Sequence, residues 1–199
     1  ETDPVVLHAG RLAREKNYAL VIRAFDAMRA ANPRCRFVVV GDGPLRAELA
    51  AKLPYVHFTG FVARSVLAAH YASADIYLHA SVSETYGNVA AEALASGLAF
   101  AGYDYAAAHE LVRSGENGLL VPLGGESAFI AAAVRLATDA ALVARLRARA
   151  TAAVSARSWD HVVAQFAADL EEAAAEHRTT RADPVRRITN PKLTDAACP

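Results

Sequence analysis

Two glutamates, Glu84 and Glu92, stand eight positions apart in the segment SVSETYGNVAAEAL, residues 81–94. The apolar run DIYLHA in front of them predicts a buried strand, and NVAAEAL predicts a helix. Helical side chains lean towards the N-terminus of their helix, so both carboxylates are expected at one crevice above the end of the strand. A carboxylate accepts two hydrogen bonds at once, which suits a ribose diol or the hydroxyls of a sugar. The structural alternative is a solvated loop acid at 84 and an acid near a helix N-terminus at 92.

The start of the same helix offers backbone amides. Gly87 precedes it, and Asn88 is its predicted N-cap. The first amides of a helix have no partner inside the helix, so the free amides at this helix end suit a phosphate.

Another loop places cations near the start of a helix. Arg11 and Lys16 lie in HAGRLAREKNYAL, between a predicted strand and a helix that opens near Asn17. Cations beside the positive end of a helix are favoured only if an anion joins them, which points to a phosphate group. The alternative interpretation is that Arg11, Arg14 and Lys16 are simply solvated loop residues.

Two further loops carry weaker signals. Gly41 and Gly43 in VVVGDGP let a backbone approach a ligand closely, but the spacing matches neither a dinucleotide fingerprint nor a phosphate loop. Phe61 and Val62 in VHFTGFV follow a predicted strand and are candidates to flank a planar base. A structural turn for the glycines and a cover for the core at 61–62 are the competing interpretations.

All of these loops follow short apolar runs that alternate with amphipathic segments. The runs predict strands at 5–10, 36–41, 56–60, 75–80, 98–102 and 118–122. The amphipathic segments predict helices at about 17–31, 44–52, 64–73, 88–96, 106–114, 126–153 with a break near Asp139, and 158–176. This alternation predicts an α/β fold, a Rossmann-like doubly wound parallel sheet whose ligands bind at the carboxyl ends of the strands.

The composition narrows the class of protein. The chain has 199 residues, 54% of them hydrophobic, with 21 basic and 21 acidic side chains, which argues against a nucleic-acid-binding face. No apolar run approaches the roughly 20 residues that span a bilayer. Cys35 and Cys198 fit no metal spacing, which favours a reducing cytoplasm.

Residues 1–176 are predicted to form one domain and 177–199 a polar, disordered tail, and the absence of an initiator Met suggests an excised domain.

Five motifs then resemble one family. HAGRLAREKN, VVVGDGP, VHFTGFV, SVSETYGNVAAEALASG and ELVRSGENGLLVP occur in the order found in the C-terminal domain of retaining "group 1" glycosyltransferases of the GT-B fold. The resemblance covers about residues 4–155, and Glu84-x7-Glu92 is its strongest motif. It implies transfer of a sugar from a UDP- or GDP-sugar donor to an acceptor held by a missing N-terminal domain. For the full-length protein, a place at the inner membrane face is a further expectation.

The resemblance implies roles for individual residues. Arg11 and Lys16 look like the pair that neutralises the donor diphosphate, Glu84 like the acid that holds the donor sugar, and Glu92 like the acid that binds the ribose. The further implied donor contacts are Gly41, Gly43, Phe61, Val62, Gly87, Asn88 and Val89. Because the cations suffice to stabilise the leaving group, and no Asp-x-Asp or His cluster is present, neither a metal nor another cofactor is expected.

One loop departs from the family pattern. DYAAAHE, residues 104–110, has Ala106 and Ala107 where the family often has two glycines, so a different path or a different donor sugar is expected. His109 and Glu110 leave a polar rim there and carry no assigned role in transfer. The alternatives are a non-catalytic nucleotide-sugar-binding module, or an epimerase that uses these two side chains. The chain alone is expected to be inactive, and helix 158–176 is a candidate for self-association.

Overall fold

A computed structural model of the chain describes residues 3–84, 86–155 and 159–182. The chain divides into two compact units, Glu1–Ser155 and Ala156–Pro199. The first unit carries the sheet and the candidate site. The predicted end of the folded domain at 176 stays a prediction.

A six-stranded sheet forms the centre of the first unit. Its strands are β1 Val5–Ala9, β2 Arg36–Val40, β3 Val56–Gly60, β4 Ile76–His79, β5 Ala99–Tyr103 and β6 Gly118–Val121. Every neighbouring pair is parallel, and the order is β3-β2-β1-β4-β5-β6. The predicted doubly wound parallel sheet is confirmed, and the strand order reverses between β1 and β4.

Helices connect the strands as the periodicity predicted. They are α1 Tyr18–Ala31, α2 Arg46–Lys52, α3 Arg64–Ser73, α4 Asn88–Ala95, α5 Ala106–Leu111, α6 Glu126–Thr138, α7 Ala140–Ala150, α8 Ala152–Ser155 and α9 Trp159–Ala182, with a 3-10 turn at Arg14–Lys16. The predicted break near Asp139 is confirmed, because the Asp139 carboxylate caps α7 by accepting from the amide of Leu142 at 2.8 Å.

The last helix forms the described part of the second unit. α9 continues to Ala182, so it includes the first six residues of the predicted tail, and residues 183–199 lie outside the described part. Val163, Phe166 and Leu170 are exposed at helical spacing. Self-association through this helix stays a prediction.

The core lies in two layers, one on each face of the sheet. Alternate strand residues point to opposite faces, so Val6 packs with α1 and α6 residues such as Phe25 and Phe129. Its neighbour Leu7 packs on the other face of the sheet, in a second core cluster that includes Tyr77 of β4. Both faces of the central strands are therefore buried, which explains why those strands read as continuous apolar runs.

β1 and β4 separate at their carboxyl ends. β1 pairs with β2 over all five of its residues, but with β4 only at Val6–Ile76 and Leu7–Tyr77. Beyond those pairs the two strands no longer share ladder hydrogen bonds. The crevice at the switch point opens there, directly above the middle of the sheet.

No single described helix is both long and apolar enough to cross a membrane. α6 together with α7 and α8 reaches that length and composition only as a pair bent by 100°.

Candidate functional site

An ion pair spans the crevice between β1 and β4. Lys16 ends the 3-10 turn after β1, and its Nζ lies 2.5 Å from Oε1 of Glu84 in the loop after β4. The two side chains retain only 19% and 10% of their exposure. The structure therefore brings together two of the predicted site residues that are 68 positions apart in sequence.

Backbone contacts hold the two loops together beneath this pair. The Ser81 hydroxyl donates to the carbonyl of Glu15 at 3.2 Å, and the amide of Val82 donates to the same oxygen at 3.3 Å. Because Glu15 is next to Lys16 in sequence, these bonds fix where the lysine leaves the backbone. The loop after β1 is thus positioned by the loop after β4.

The Glu84 carboxyl is ionised at neutral pH. Burial alone raises its pKa, but the hydrogen bond and the positive charge of Lys16 oppose that effect, and the net direction is downward. The site therefore presents a carboxylate to a ligand.

Two buried histidines lie below the ion pair, and neither is among the site residues predicted from the sequence. His8 is the fourth residue of β1, and its Nδ1 lies 2.8 Å from the carbonyl oxygen of Leu78. A carbonyl can only accept, so Nδ1 carries the proton in neutral His8. His79 ends β4, and its Nε2 lies 3.6 Å from Oε1 of Glu84. The sequence does carry a signal for these histidines. Each apolar run, VVLHAG and DIYLHA, has one polar residue near its carboxyl end.

These histidines are neutral in the folded chain. Burial lowers the pKa of His8 to about 4, against a smaller rise from the bond to Leu78. Burial also lowers the pKa of His79 to about 4, helped by the nearby His8 and opposed by Glu84. Among described side chains, His8 Nε2, His79 Nδ1 and the Tyr18 hydroxyl are buried without a hydrogen-bond partner.

The Tyr77 side chain bonds the backbone of β1 where the β1–β4 ladder has ended. Its hydroxyl donates to the carbonyl of Ala9 at 2.9 Å and accepts from the Ala9 amide at 3.2 Å. Backbone groups left without partners in the interior are costly, so this hydroxyl stabilises the separated end of β1. The crevice is held open by side chains rather than closed by strand pairing.

Glu92 has a different partner from Glu84. Its side chain leaves the second turn of α4, and its Oε2 accepts a hydrogen bond from the Tyr71 hydroxyl at 3.0 Å. Glu84 in the loop after β4 is thus fixed by a lysine, and Glu92 within α4 is fixed by a tyrosine.

The N-terminus of α4 differs in detail from its prediction. Gly87, not Asn88, is the N-cap, with a left-handed φ of 96°, and no side chain caps the helix. Asn88 is the first helical residue, because the glycine accommodates the turn that an asparagine would otherwise have to adopt. Val89 is half-buried and packs on the second core cluster, so it offers only its backbone to the crevice.

The glycines after β2 have a packing role. A Cβ on Gly41 would lie 1.9 Å from the carbonyl oxygen of Gly10, and one on Gly43 would lie 2.5 Å from that of Leu12. Both positions therefore exclude any larger residue, because the loop after β2 lies directly on the loop after β1. Contact of Gly41 and Gly43 with a donor stays a prediction.

Arg11 and Phe61 present exposed side chains above the sheet. Arg11 is exposed, and its side chain makes no hydrogen bond or ion pair with any described residue. Phe61, just after β3, is 87% exposed, which is unusual for an aromatic side chain, and the adjacent Val62 packs on the second core cluster. One cation and one aromatic face are thus available to a ligand.

Ala106 adopts a backbone conformation that favours glycine. Its φ is 49°, in the left-handed region, and it starts α5. The amide of Ala107 donates to the carbonyl of Tyr86 at 2.8 Å, and its buried methyl group lies 3.6 Å from the Cβ position at Gly87. Ala106 therefore has a backbone conformation that glycine adopts more easily. A different loop path or a different donor sugar relative to the family stays a prediction.

We expect the substitution Ala106→Gly to stabilise the chain by about 0.5–1 kcal/mol. The left-handed conformation of an alanine costs about 1–2 kcal/mol, which glycine would avoid. Glycine also has more conformational freedom in the unfolded chain, and this offsets part of the gain in stability. Urea unfolding measures the change. Ala108→Gly, inside the same helix at an ordinary φ, is the matched control and should destabilise. A less stable Ala106→Gly variant would contradict the strain.

Asp104 and His109 form a second polar feature beside the site. Their side chains lie 2.6 Å apart and are both exposed, at the rim of a cavity of about 410 Å³ that Val112 and Pro122 also line. Within the described residues, no group of three His, Cys, Asp or Glu side chains is placed to hold a metal ion. Independence from metal stays a prediction.

Comparisons with known proteins identify the family to which the chain is similar. The profile of the family "Glycosyl transferases group 1" matches residues 3–139. A GDP-mannose-dependent alpha-mannosyltransferase of Mycolicibacterium smegmatis is 35% identical over 174 residues, which cover 84% of this chain and 44% of that protein. The chain thus spans less than half the length of this relative.

Two solved structures resemble the chain in fold. The pneumococcal O-GlcNAc transferase GtfA, in complex with UDP and GlcNAc, superposes with a TM-score of 0.74 at 24% identity, over 86% of this chain and 36% of that one. The C-terminal domain of the group 1 glycosyl transferase LpcC of Francisella tularensis has a TM-score of 0.68 at 25% identity, over 77% of this chain and 85% of that one. This chain belongs to the group 1 glycosyl transferases, and its parallel sheet matches the GT-B glycosyltransferase fold.

Proposed function

We propose that this chain is the donor-binding half of a retaining glycosyltransferase that uses a nucleoside-diphosphate sugar. The observation that carries the proposal is the meeting of Lys16 and Glu84 over the switch-point crevice, 2.5 Å apart. That crevice is where open parallel sheets bind nucleotides. Arg11 and Lys16 bind the diphosphate, Glu84 the hydroxyls of the donor sugar, and Glu92 the ribose diol.

The proposed sugar transfer places a growing negative charge on the diphosphate leaving group. The bond between the anomeric carbon and the diphosphate oxygen breaks, and its electron pair stays on the diphosphate. Cations already in place stabilise that growing charge, and loss of one such group typically lowers the rate by about 10²–10³-fold. Arg11 and Lys16 supply two positive charges at the crevice without a metal ion.

The acceptor belongs to a part of the protein outside this chain. The chain spans 44% of the mycobacterial relative and 36% of the pneumococcal enzyme, whereas it covers 85% of a solved C-terminal domain. An N-terminal domain would therefore hold the acceptor and complete the site. The isolated chain binds donor but does not transfer sugar.

The relatives indicate two nucleotides to test first, GDP and UDP. The Mycolicibacterium smegmatis relative depends on GDP-mannose, and the pneumococcal structure contains UDP. The higher identity of the first relative, 35% against 24%, favours GDP-mannose for this chain.

Arg11 is expected to contribute directly to nucleotide binding. We expect calorimetric titration to show binding of GDP or UDP, and of the matching sugar donor, with and without EDTA. Arg11→Ala should weaken binding by about 10–100-fold, because a charge-assisted hydrogen bond contributes about 1.5–3 kcal/mol.

Arg36→Ala is the matched control for that experiment. Arg36 is also an exposed arginine, but it begins β2 at the opposite end of the sheet and pairs with Asp3 at 3.4 Å. Its removal should leave nucleotide binding unchanged. Failure of the folded chain to bind either nucleotide, or equal losses in both variants, would refute the donor site.

A further inference from the structure

Glu92 would be poorly oriented without a second residue. The residue is exposed, and a glutamate on a helix surface has several rotamers of similar energy. One oxygen, Oε2, accepts the hydroxyl of Tyr71 at 3.0 Å. No described residue donates to the other oxygen, Oε1. One hydrogen bond thus selects one orientation of the carboxylate and leaves Oε1 for a ligand.

Tyr71 is itself rigid. It lies near the end of α3 with 3% of its surface exposed, and its ring stacks on that of Tyr77 at a centroid distance of 5.9 Å. Tyr77 is fully buried and bonds both backbone groups of Ala9. The Tyr71 hydroxyl is therefore fixed by packing relative to the end of β1.

The direction of the bond is also fixed. Burial raises the pKa of the Tyr71 hydroxyl, so the hydroxyl keeps its proton at every pH at which the chain works. A carboxylate can only accept, so Tyr71 donates and Glu92 accepts. Hydrogen bonds to a charged acceptor are about twice as strong as neutral ones, which suits a positioning role.

We infer that Tyr71 is a positioning residue that holds the Glu92 carboxylate for recognition of the ligand's ribose 2′,3′-diol. The inference rests on the proposed function and deepens it, because it names a residue that sets the preference for a ribose over a sugar without the diol. Tyr71 touches no ligand itself. It acts through Glu92 alone.

The test compares GDP and UDP with their 2′,3′-dideoxy counterparts by calorimetry. In the unaltered chain, the nucleotide that binds should do so at least 10-fold more tightly than its dideoxy form. In Tyr71→Phe that ratio should fall to about 2–3-fold, with dideoxy binding unchanged. Glu92→Ala should lower the ratio equally, and the double variant should add no further loss.

Tyr55→Phe is the matched control, since the Tyr55 hydroxyl also donates to a carboxylate, that of Asp26, at 2.7 Å and away from the crevice. In Tyr55→Phe, the ratio of the affinities for the nucleotide and for its dideoxy form should equal that of the unaltered chain. An unchanged ratio in Tyr71→Phe would overturn the inference while leaving the donor site intact. Failure of the unaltered folded chain to bind any nucleotide would overturn both.

A second measurement does not depend on the stability of a variant. In the unaltered chain labelled at tyrosine, the Cζ resonance of Tyr71 should shift on addition of the binding nucleotide and stay in place with its dideoxy form. Equal shifts with both ligands would overturn the inference.

Discussion

Lowering the pH from 6.5 to 4.5 should reduce the unfolding free energy of this chain by about 4 kcal/mol through His8 and His79. Burial lowers the pKa of each histidine to about 4, from 6.5 in the unfolded chain. Between these values the unfolded chain binds protons that the folded chain excludes, so stability falls as the pH falls. About one pH unit above 6.5 both states are neutral at these positions, and the full stability is present.

The size of this effect is large for a single domain. Each histidine contributes roughly 2 kcal/mol over that interval, against about 5–15 kcal/mol for the whole stability of a typical domain. Glu84 acts in the same direction, because its lowered pKa also means that stability is lost as the pH falls. We therefore expect the chain to be close to unfolding near pH 4.

Urea unfolding at a series of pH values measures this dependence. His79→Phe should reduce the loss between pH 6.5 and 4.5 by about half, because a phenyl ring fills the site and binds no proton. His57→Gln is the control, since His57 is exposed on β3 and its ring remains in water when the chain folds. A loss below about 1 kcal/mol in the unaltered chain would contradict the buried neutral histidines.

Opposite changes in nucleotide affinity are expected from the two members of the ion pair. Lys16→Met should weaken binding of GDP or UDP by about 10–100-fold, because the diphosphate loses a charge-assisted bond. Glu84→Gln should tighten binding of the same nucleotides by about 5–10-fold. In the free chain, the Glu84 carboxylate occupies the anion position beside Lys16, and a diphosphate must compete with it.

The sugar part of the donor should respond differently. If Glu84 also holds the sugar hydroxyls, Glu84→Gln should reduce the advantage of GDP-mannose over GDP, or of UDP-glucose over UDP. Asp3→Asn controls for the change of one charge, because Asp3 lies beside Arg36 at the opposite end of the sheet. Weaker binding of the plain nucleotide to Glu84→Gln would show that the carboxylate does not compete for Lys16.

Periodicity along the chain determined the elements and their order. Apolar runs of four to six residues that alternate with amphipathic segments identified all six strands, because a buried parallel strand needs apolar side chains on both faces. Turn residues marked the loops, and the break at Asp139 came from local capping chemistry. These signals depend only on neighbouring residues, so sequence alone contains them.

The start of α4 and the loop at Ala106 show where local signals were insufficient. Asn88 and Gly87 both suit a helix start, and the tertiary path of the preceding loop decided in favour of Gly87. A left-handed conformation at Ala106 is disfavoured by local energetics, and the hydrogen bond from the amide of the next residue, Ala107, to the carbonyl of Tyr86 holds the chain in it.

Only the tertiary structure decided which side chains meet. Lys16 and Glu84 are 68 residues apart, and they pair because β1 and β4 are neighbours whose ladder ends after Leu7. The same separation buries His8 against Leu78, a contact that no spacing in the sequence reveals. The residue types predicted a crevice for phosphate and hydroxyls, whereas the pairing and burial of those residues follow from the non-local order of the strands.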